Sequence, residues 1–108
     1  MSKSKSLMVL EKNALFQGTL NASGDIKING IFKGDIYSAN NVYISSTGKI
    51  IGNVEADNII INGEVNGNIK AKTKIHLTEN SILTGDIITK KFIIDRGAFF
   101  NGKCKRIN

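Results

Sequence analysis

The sequence predicts an all-β fold, a parallel β-helix or solenoid of about six turns with roughly 17 residues per turn. A motif of apolar, any, glycine, any and apolar residues occurs six times, and the glycines of successive copies lie 15 to 18 residues apart. Short β-branched segments with a period of two stand between the copies. Because repeats of helical solenoids need about 33 residues or more, this shorter period indicates coils of short strands whose stacking buries one continuous core.

Each motif copy is expected to form a strand, a corner at its glycine and a second strand. The six copies span residues 16–20, 32–36, 50–54, 65–69, 83–87 and 100–104. Further strands are expected at 26–28, 42–44, 59–61, 75–77 and 92–94, and turns follow them at 29–30, 47–48, 62–63, 80–81 and 96–97. Pairing of successive turns in register stacks like residues into two internal columns: Ile26, Val42, Ile59, Ile75 and Phe92, and Ile28, Ile44, Ile61, Leu77 and Ile94.

The repeat spacing also bears on the handedness of the coil. Left-handed β-helices of the hexapeptide type need a period of six and turns of 18 residues, and the spacings of 15, 16 and 17 break that frame. Parallel crossovers are in general right-handed. We therefore expect a right-handed coil.

The positive charge of the chain is concentrated near its two termini. The net charge is +6, but residues 13–102 carry nine basic and eight acidic side chains. A long basic groove for nucleic acid is not indicated, and seven aromatic residues with two arginines do not suit base stacking, so no nucleic-acid partner is expected. We interpret Lys72, Lys74, Lys90 and Lys91, which gather at one predicted corner, as a solvated edge.

The chain divides into a flexible N-terminal tail (1–13), a β-helix domain (14–106) and a short C-terminal end (107–108). The tail combines two cations with four apolar side chains, a pattern suited to weak binding at an anionic membrane surface. The candidate membrane-binding residues are Lys3, Lys5, Leu7, Met8, Val9 and Leu10. Two alternatives stay open, because the same residues could fold over the first turn as a cap or remain disordered.

The ends of the predicted solenoid are candidate polymerisation surfaces. A solenoid without polar caps presents unpaired backbone groups and an open apolar cross-section at each end, and a second copy can cover both. The candidate interface residues are Phe16, Leu20, Ile26 and Ile28 at one end, and Phe99, Phe100 and Cys104 at the other. Phe99 is one step out of phase with Phe100 and should point away from the core. Tails that fold back as caps remain the alternative.

Catalytic, metal-binding and cofactor-binding residues are not expected. Cys104 occupies an aliphatic position of the repeat, where we expect a small buried hydrophobe, and as the only cysteine it suits a reducing compartment. His76 should point outward and has no second histidine with which to share a metal. Asp35, Asn53, Asn68 and Asp86 follow motif glycines and should form a hydrogen-bonded ladder. The sequence contains no P-loop, GxGxxG fingerprint or GGxGxD calcium repeat.

The six ordered motifs and the closing run at 97–104 resemble the bactofilins, bacterial polymer-forming cytoskeletal proteins, over residues 14–106. The resemblance implies a right-handed, three-faced β-helix that assembles end to end into filaments without nucleotide. It also implies an N-terminal membrane-targeting tail and a role in placing cell-wall enzymes. The chain departs from the family in having no proline and almost no C-terminal tail, which makes recruitment of partners through a tail doubtful.

We therefore expect a non-enzymatic subunit of a bacterial cytoskeletal filament, a homo-polymer that acts as a scaffold for cell-shape or cell-wall machinery. The run 7–10 is shorter than a secretory h-region, so we expect a cytoplasmic protein associated with the inner face of the cytoplasmic membrane. Two other functions stay open: a monomeric β-helix module for binding or adhesion, and a carbohydrate-active β-helix enzyme. An adhesin would need an export signal, and an enzyme would need long loops that form a cleft.

Overall fold

A computed structural model describes residues 7–107, which form thirteen β-strands and no helix. The strands are β1 (Leu7–Leu10), β2 (Leu15–Ala22), β3 (Asp25–Ile28), β4 (Ile31–Ser38), β5 (Asn41–Ile44), β6 (Lys49–Ile51), β7 (Val54–Ile61), β8 (Glu64–Asn66), β9 (Ile69–Leu77), β10 (Ile82–Thr84), β11 (Ile87–Ile94), β12 (Phe99–Asn101) and β13 (Cys104–Arg106). Within these residues, no helix has the length and apolar character needed to cross a bilayer.

All strand pairs are parallel, and they form three faces of a coil. The first face contains β1, β3, β5 and the C-terminal halves of β7, β9 and β11. The second contains the N-terminal halves of β2 and β4, followed by β6, β8, β10 and β12. The third face contains the C-terminal halves of β2 and β4, the N-terminal halves of β7, β9 and β11, and β13. Six strand segments stack on each face, which confirms the predicted parallel solenoid of about six turns.

The core consists of columns of like residues, as the repeat predicted. On the first face Ile26 pairs in register with Val42, and this column continues through Ile59 and Ile75 to Phe92. All of its members before Phe92 are fully buried. Full burial of one such side chain stabilises the fold by about 1.5–3 kcal/mol. Stacking of equivalent coils is therefore the main source of stability.

The glycines of the motif form the corner between the second and third faces. Gly52 has a φ of +146°, a conformation that L side chains rarely adopt. A Cβ on Gly52 would also collide with the backbone oxygen of Gly34 one turn earlier. Glycine is required here because the corner combines an unusual backbone conformation with close approach of the preceding turn.

The polar ladder beside these glycines is also present. The backbone N–H of Asn53 donates to Oδ1 of Asp35 at 3.2 Å. In the same way Asn68 donates to Asn53 at 3.0 Å, and Asp86 donates to Asn68 at 3.0 Å. Each Asp or Asn side chain therefore accepts the backbone N–H of the equivalent residue in the next turn, which stabilises the corner.

The structure corrects the predicted boundary of the N-terminal tail. Leu7–Leu10 form β1, which pairs in register with β3 through Leu7 to Asp25 and Leu10 to Ile28. A turn follows in which Ala14 N–H donates to Glu11 O at 3.1 Å. Residues 7–13 thus belong to the first turn of the coil and not to a tail, because β1 supplies the strand that covers β3. Residues 1–6 lie outside the described part of the chain.

Replacement of Gly52 by alanine tests the corner. Gly52→Ala should lower the free energy of unfolding by about 3 kcal/mol or more, because backbone strain is added to a steric collision. Gly18→Ala is the matched control, since Gly18 has a φ of +126° but no atom within 4 Å of its Cβ position. Urea denaturation of both variants should show the larger loss for Gly52→Ala, and equal losses would contradict the steric explanation.

Candidate polymerisation interface

The two ends of the coil consist of strands that have a neighbour on one side only. Within residues 7–107, β1 pairs only with β3 and β2 only with β4. At the other end β12 pairs only with β10 and β13 only with β11. Each end therefore presents a strand edge whose N–H and C=O groups can pair with another chain.

The N-terminal end exposes the first members of the core columns. Met8 is 41% exposed and Phe16 is 51% exposed, whereas their column partners one turn later, Ile26 and Phe32, are at most 2% exposed. Leu20 is half-buried in the same end turn. The side chains occupy equivalent positions, so their exposure results from the absence of a preceding turn among the described residues.

Two residues predicted for this interface do not belong to it. Ile26 and Ile28 are fully buried in the second turn, where β1 covers them. The prediction was wrong because it began the coil near Phe16 and so placed Ile26 and Ile28 in the end turn. Met8 was predicted to bind membrane and not to lie at this interface, and alignment of Leu7–Leu10 with Asp25–Ile28 would have placed it here.

The C-terminal end is also open and contains an aromatic pair. Phe92 and Phe100 are half-buried and pack edge to face with ring centroids 5.4 Å apart. Ile94 is 48% exposed, although Leu77 in the same column one turn earlier is fully buried. Phe99 points away from the core and is exposed, as predicted from its phase.

Cys104 is exposed, contrary to the expectation of a buried position. It pairs in register with Ile87, which is fully buried, so its column does face the core. It is exposed because it lies in the last turn. Beside it, Arg106 takes the position that Thr89 holds one turn earlier, and its Nε donates to the backbone oxygen of Lys90 at 3.3 Å. The C-terminal end is therefore apolar at the aromatic pair and basic at β13.

A contact between two side chains on the first face also links the last two described turns. His76 Nε2 lies 3.0 Å from Oδ1 of Asp95, which follows the last strand of the first face. His76 points outward in column with Ile60 and Ile93, as predicted. The residues described by the structure contain no cluster of three or more His, Cys, Asp or Glu side chains that could hold a metal ion.

The chain is similar to known bactofilins over nearly its whole length. Residues 8–105 match the family described as bactofilin, polymer-forming cytoskeletal. Bactofilin BacO of Myxococcus xanthus is 31% identical over 94 residues, which are 87% of this chain and 75% of BacO. Bactofilin BacP of the same organism is 30% identical over 95 residues, which are 88% of this chain and only 40% of BacP.

Three solved structures share the fold. The solid-state NMR structure of the cytoskeletal bactofilin BacA is 28% identical, with a TM-score of 0.80, and covers 95% of this chain and 96% of its own. A phenylalanine-to-arginine mutant of Thermus thermophilus bactofilin is 26% identical, with a TM-score of 0.78, over 82% and 99% of the two chains. The chain in the cryo-EM structure of Thermus thermophilus bactofilin double helical filaments is 24% identical, with a TM-score of 0.83. The match covers 90% of this chain and 96% of that chain. At that last identity the likeness concerns the fold alone.

The exposed thiol of Cys104 provides a probe of the C-terminal end. A maleimide reagent should label Cys104 rapidly in dilute, unassembled chain and slowly in assembled material, because a second copy over the end turn would exclude the reagent. The Cys104→Ser variant is the control for labelling at other groups. Equal labelling rates in both states, measured by mass spectrometry, would show that this end stays open on assembly.

Proposed function

The chain belongs to the bactofilin family of polymer-forming cytoskeletal proteins, and from this premise we propose that it is a structural subunit that assembles end to end into filaments without nucleotide. Its partner in the polymer is a second copy of the same chain. The role is structural and not catalytic.

The observation that carries this proposal is the open cross-section at both ends of the coil formed by residues 7–107. Contact between two copies would cover Met8 and Phe16 at one end, and Ile94 and Phe100 at the other. Burial of each such side chain contributes about 1.5–3 kcal/mol, and pairing of the exposed strand edges adds hydrogen bonds. Each added subunit leaves another open end, so growth produces an open filament and not a closed oligomer.

The similar proteins support the same conclusion. BacA is described as cytoskeletal, and the Thermus thermophilus bactofilin forms double helical filaments. This chain covers 96% of each of those two chains, so the coil that they share is the part present here. Assembly in which the coil itself is the contact surface needs no nucleotide, because the buried area supplies the free energy.

We further propose that the filament is a scaffold at the inner face of the cytoplasmic membrane, where it supports cell-shape or cell-wall machinery. Leu7 and Val9 support a membrane contact, because both are exposed and point outward from β1. Leu10 does not, because it is 4% exposed and packs in the core. Lys3 and Lys5 lie outside the described residues. A filament displays many weak contacts at once, so that avidity gives firm attachment.

Charged substitutions at the ends test assembly. Phe16→Arg and Phe100→Arg should each abolish filaments and leave monomers or small oligomers, because a charge at an end column would be buried without a partner on contact. Ile82→Arg is the matched control, since Ile82 is an exposed, outward-facing residue one turn inside the C-terminal end. Negative-stain electron microscopy and circular dichroism report filaments and folding.

Filaments of normal length from folded Phe16→Arg and Phe100→Arg protein would refute end-to-end assembly through these columns. Loss of filaments in the Ile82→Arg control as well would show that any added positive charge is sufficient, and would remove the support for the end surfaces.

Neutralisation of the N-terminal lysines tests the membrane contact. Lys3→Gln combined with Lys5→Gln should lower the partition onto anionic vesicles roughly 25-fold, since each cation near an anionic leaflet contributes about fivefold. Lys27→Gln combined with Lys33→Gln is the control, because it removes the same two positive charges from exposed positions of the coil. Vesicle flotation separates bound filaments from free filaments, and equal flotation of the two variants would refute this membrane contact.

A further inference from the structure

A group of cations lies at one corner of the coil, between the third and first faces, in the last two turns. We name this group the basic ridge; it consists of Lys72, Lys74, Lys90, Lys91 and Arg106. Lys91 pairs in register with Lys74, and Lys72 and Lys90 lie in the irregular corners that precede them. Arg106 joins the group through its hydrogen bond to the backbone of Lys90. All of these side chains except the half-buried Lys74 are exposed.

The ridge concentrates charge on one half of the coil. In the earlier turns the same corner contains Asp25, Asn41, Asp57 and Asn58, and no cation precedes Lys72 there. Residues 7–56 carry four basic and four acidic side chains, whereas residues 57–107 carry nine basic and five acidic ones. The net charge of the described coil therefore comes from its C-terminal half, and the ridge contributes five of the nine cations.

These cations have no carboxylate partners in the described part of the chain. Among residues 7–107, His76 lies close to the carboxylate of Asp95, whereas no carboxylate of these residues lies within 4.0 Å of a ridge cation. The nearest acid along the corner, Asp57, instead accepts a hydrogen bond from Thr73 at 2.6 Å. Like charges directly opposite each other on paired strands are destabilising. The pairing of Lys74 with Lys91 thus places two like charges side by side without a compensating carboxylate among the described residues.

We propose that the basic ridge docks on an anionic lipid bilayer, as a contact separate from the N-terminal residues. The ridge is an exposed corner with four lysines and one arginine, and its one aromatic neighbour, Phe92, faces the core. Nucleic-acid sites instead use arginine forks or exposed aromatic rings. Mobile anionic headgroups can gather along an exposed row of hydrated ammonium groups, because this attraction needs no fixed geometry.

The inference rests on the proposed filament, because a stack of coils repeats the ridge once in every subunit. A single ridge would bind weakly at physiological ionic strength, where the Debye length is about 8 Å. Repetition along a filament makes the attachment firm, since every subunit that binds holds its neighbours close to the surface. A filament that carries this row of charges would lie along the membrane and would not be held only through its N-terminal residues.

The test compares two triple variants of the full chain in vesicle flotation. The ridge variant carries Lys72→Gln, Lys90→Gln and Lys91→Gln, and the control variant carries Lys12→Gln, Lys27→Gln and Lys33→Gln. All six lysines are exposed, and both variants lose the same net charge. On vesicles that contain phosphatidylserine, the ridge variant should lose roughly 100-fold in partition, at about fivefold per cation, and the control variant should lose clearly less.

Electron microscopy of the same samples distinguishes a loss of membrane binding from a loss of filament assembly. Filaments in the ridge variant together with the loss of flotation support the ridge contact. Equal losses in the two triple variants would overturn it, as would full flotation of the ridge variant. Filaments of the unaltered chain that do not float on anionic vesicles would also overturn the ridge contact while leaving assembly intact. Binding to duplex DNA that depends on the ridge, without flotation, would assign the surface to nucleic acid and overturn the lipid proposal.

Discussion

In-register pairing of each coil with the next is the constraint on which the rest of the structure depends. Because every strand segment pairs with its equivalent one turn later, side chains at equivalent positions must stack on one another. The interior column from Ile26 to Ile75 is apolar throughout, and every one of these members is fully buried. The corner column consists of glycine, and from Asp35 to Asp86 the residue after the glycine accepts a hydrogen bond from the next turn, as Asp35 does from Asn53.

The same constraint leaves the ends of the coil able to bind a second copy of the chain. An interior turn has two neighbours, whereas an end turn has one among the described residues, so equivalent positions differ sharply in exposure. Phe16 and Phe32 belong to one column, but only Phe32 is buried. Gly18 is likewise the corner glycine that no preceding turn covers. A fold built from equivalent turns can therefore assemble end to end, because a second copy can take the place of the next turn.

Prediction from the sequence succeeded where the repeat was complete. Both interior columns, the outward direction of His76 and the polar ladder follow from a period near 17, and all are present. It failed at the N-terminal end, because β1 lies before the first glycine motif and was not aligned with the later strands of the first face. That single omission misplaced Ile26, Ile28 and Leu10. The contact of His76 with Asp95 was also missed, since residues 19 positions apart meet only when the exact register is known.

The sequence by itself determined the architecture, because a repeated coil of nearly constant length leaves the same apolar and glycine pattern in every turn. The tertiary structure alone decided which of the described turns have a neighbour on one side only, and therefore that Met8, Ile94 and Cys104 are exposed although their columns face the core. It also decided that Lys74 lies beside Lys91 without a carboxylate partner among the described residues. The physical reason is that the period of the sequence repeat specifies which residues stack on one another. Exposure and charge balance depend instead on which turn of the coil is the last, and on which side chains lie next to each other at each corner.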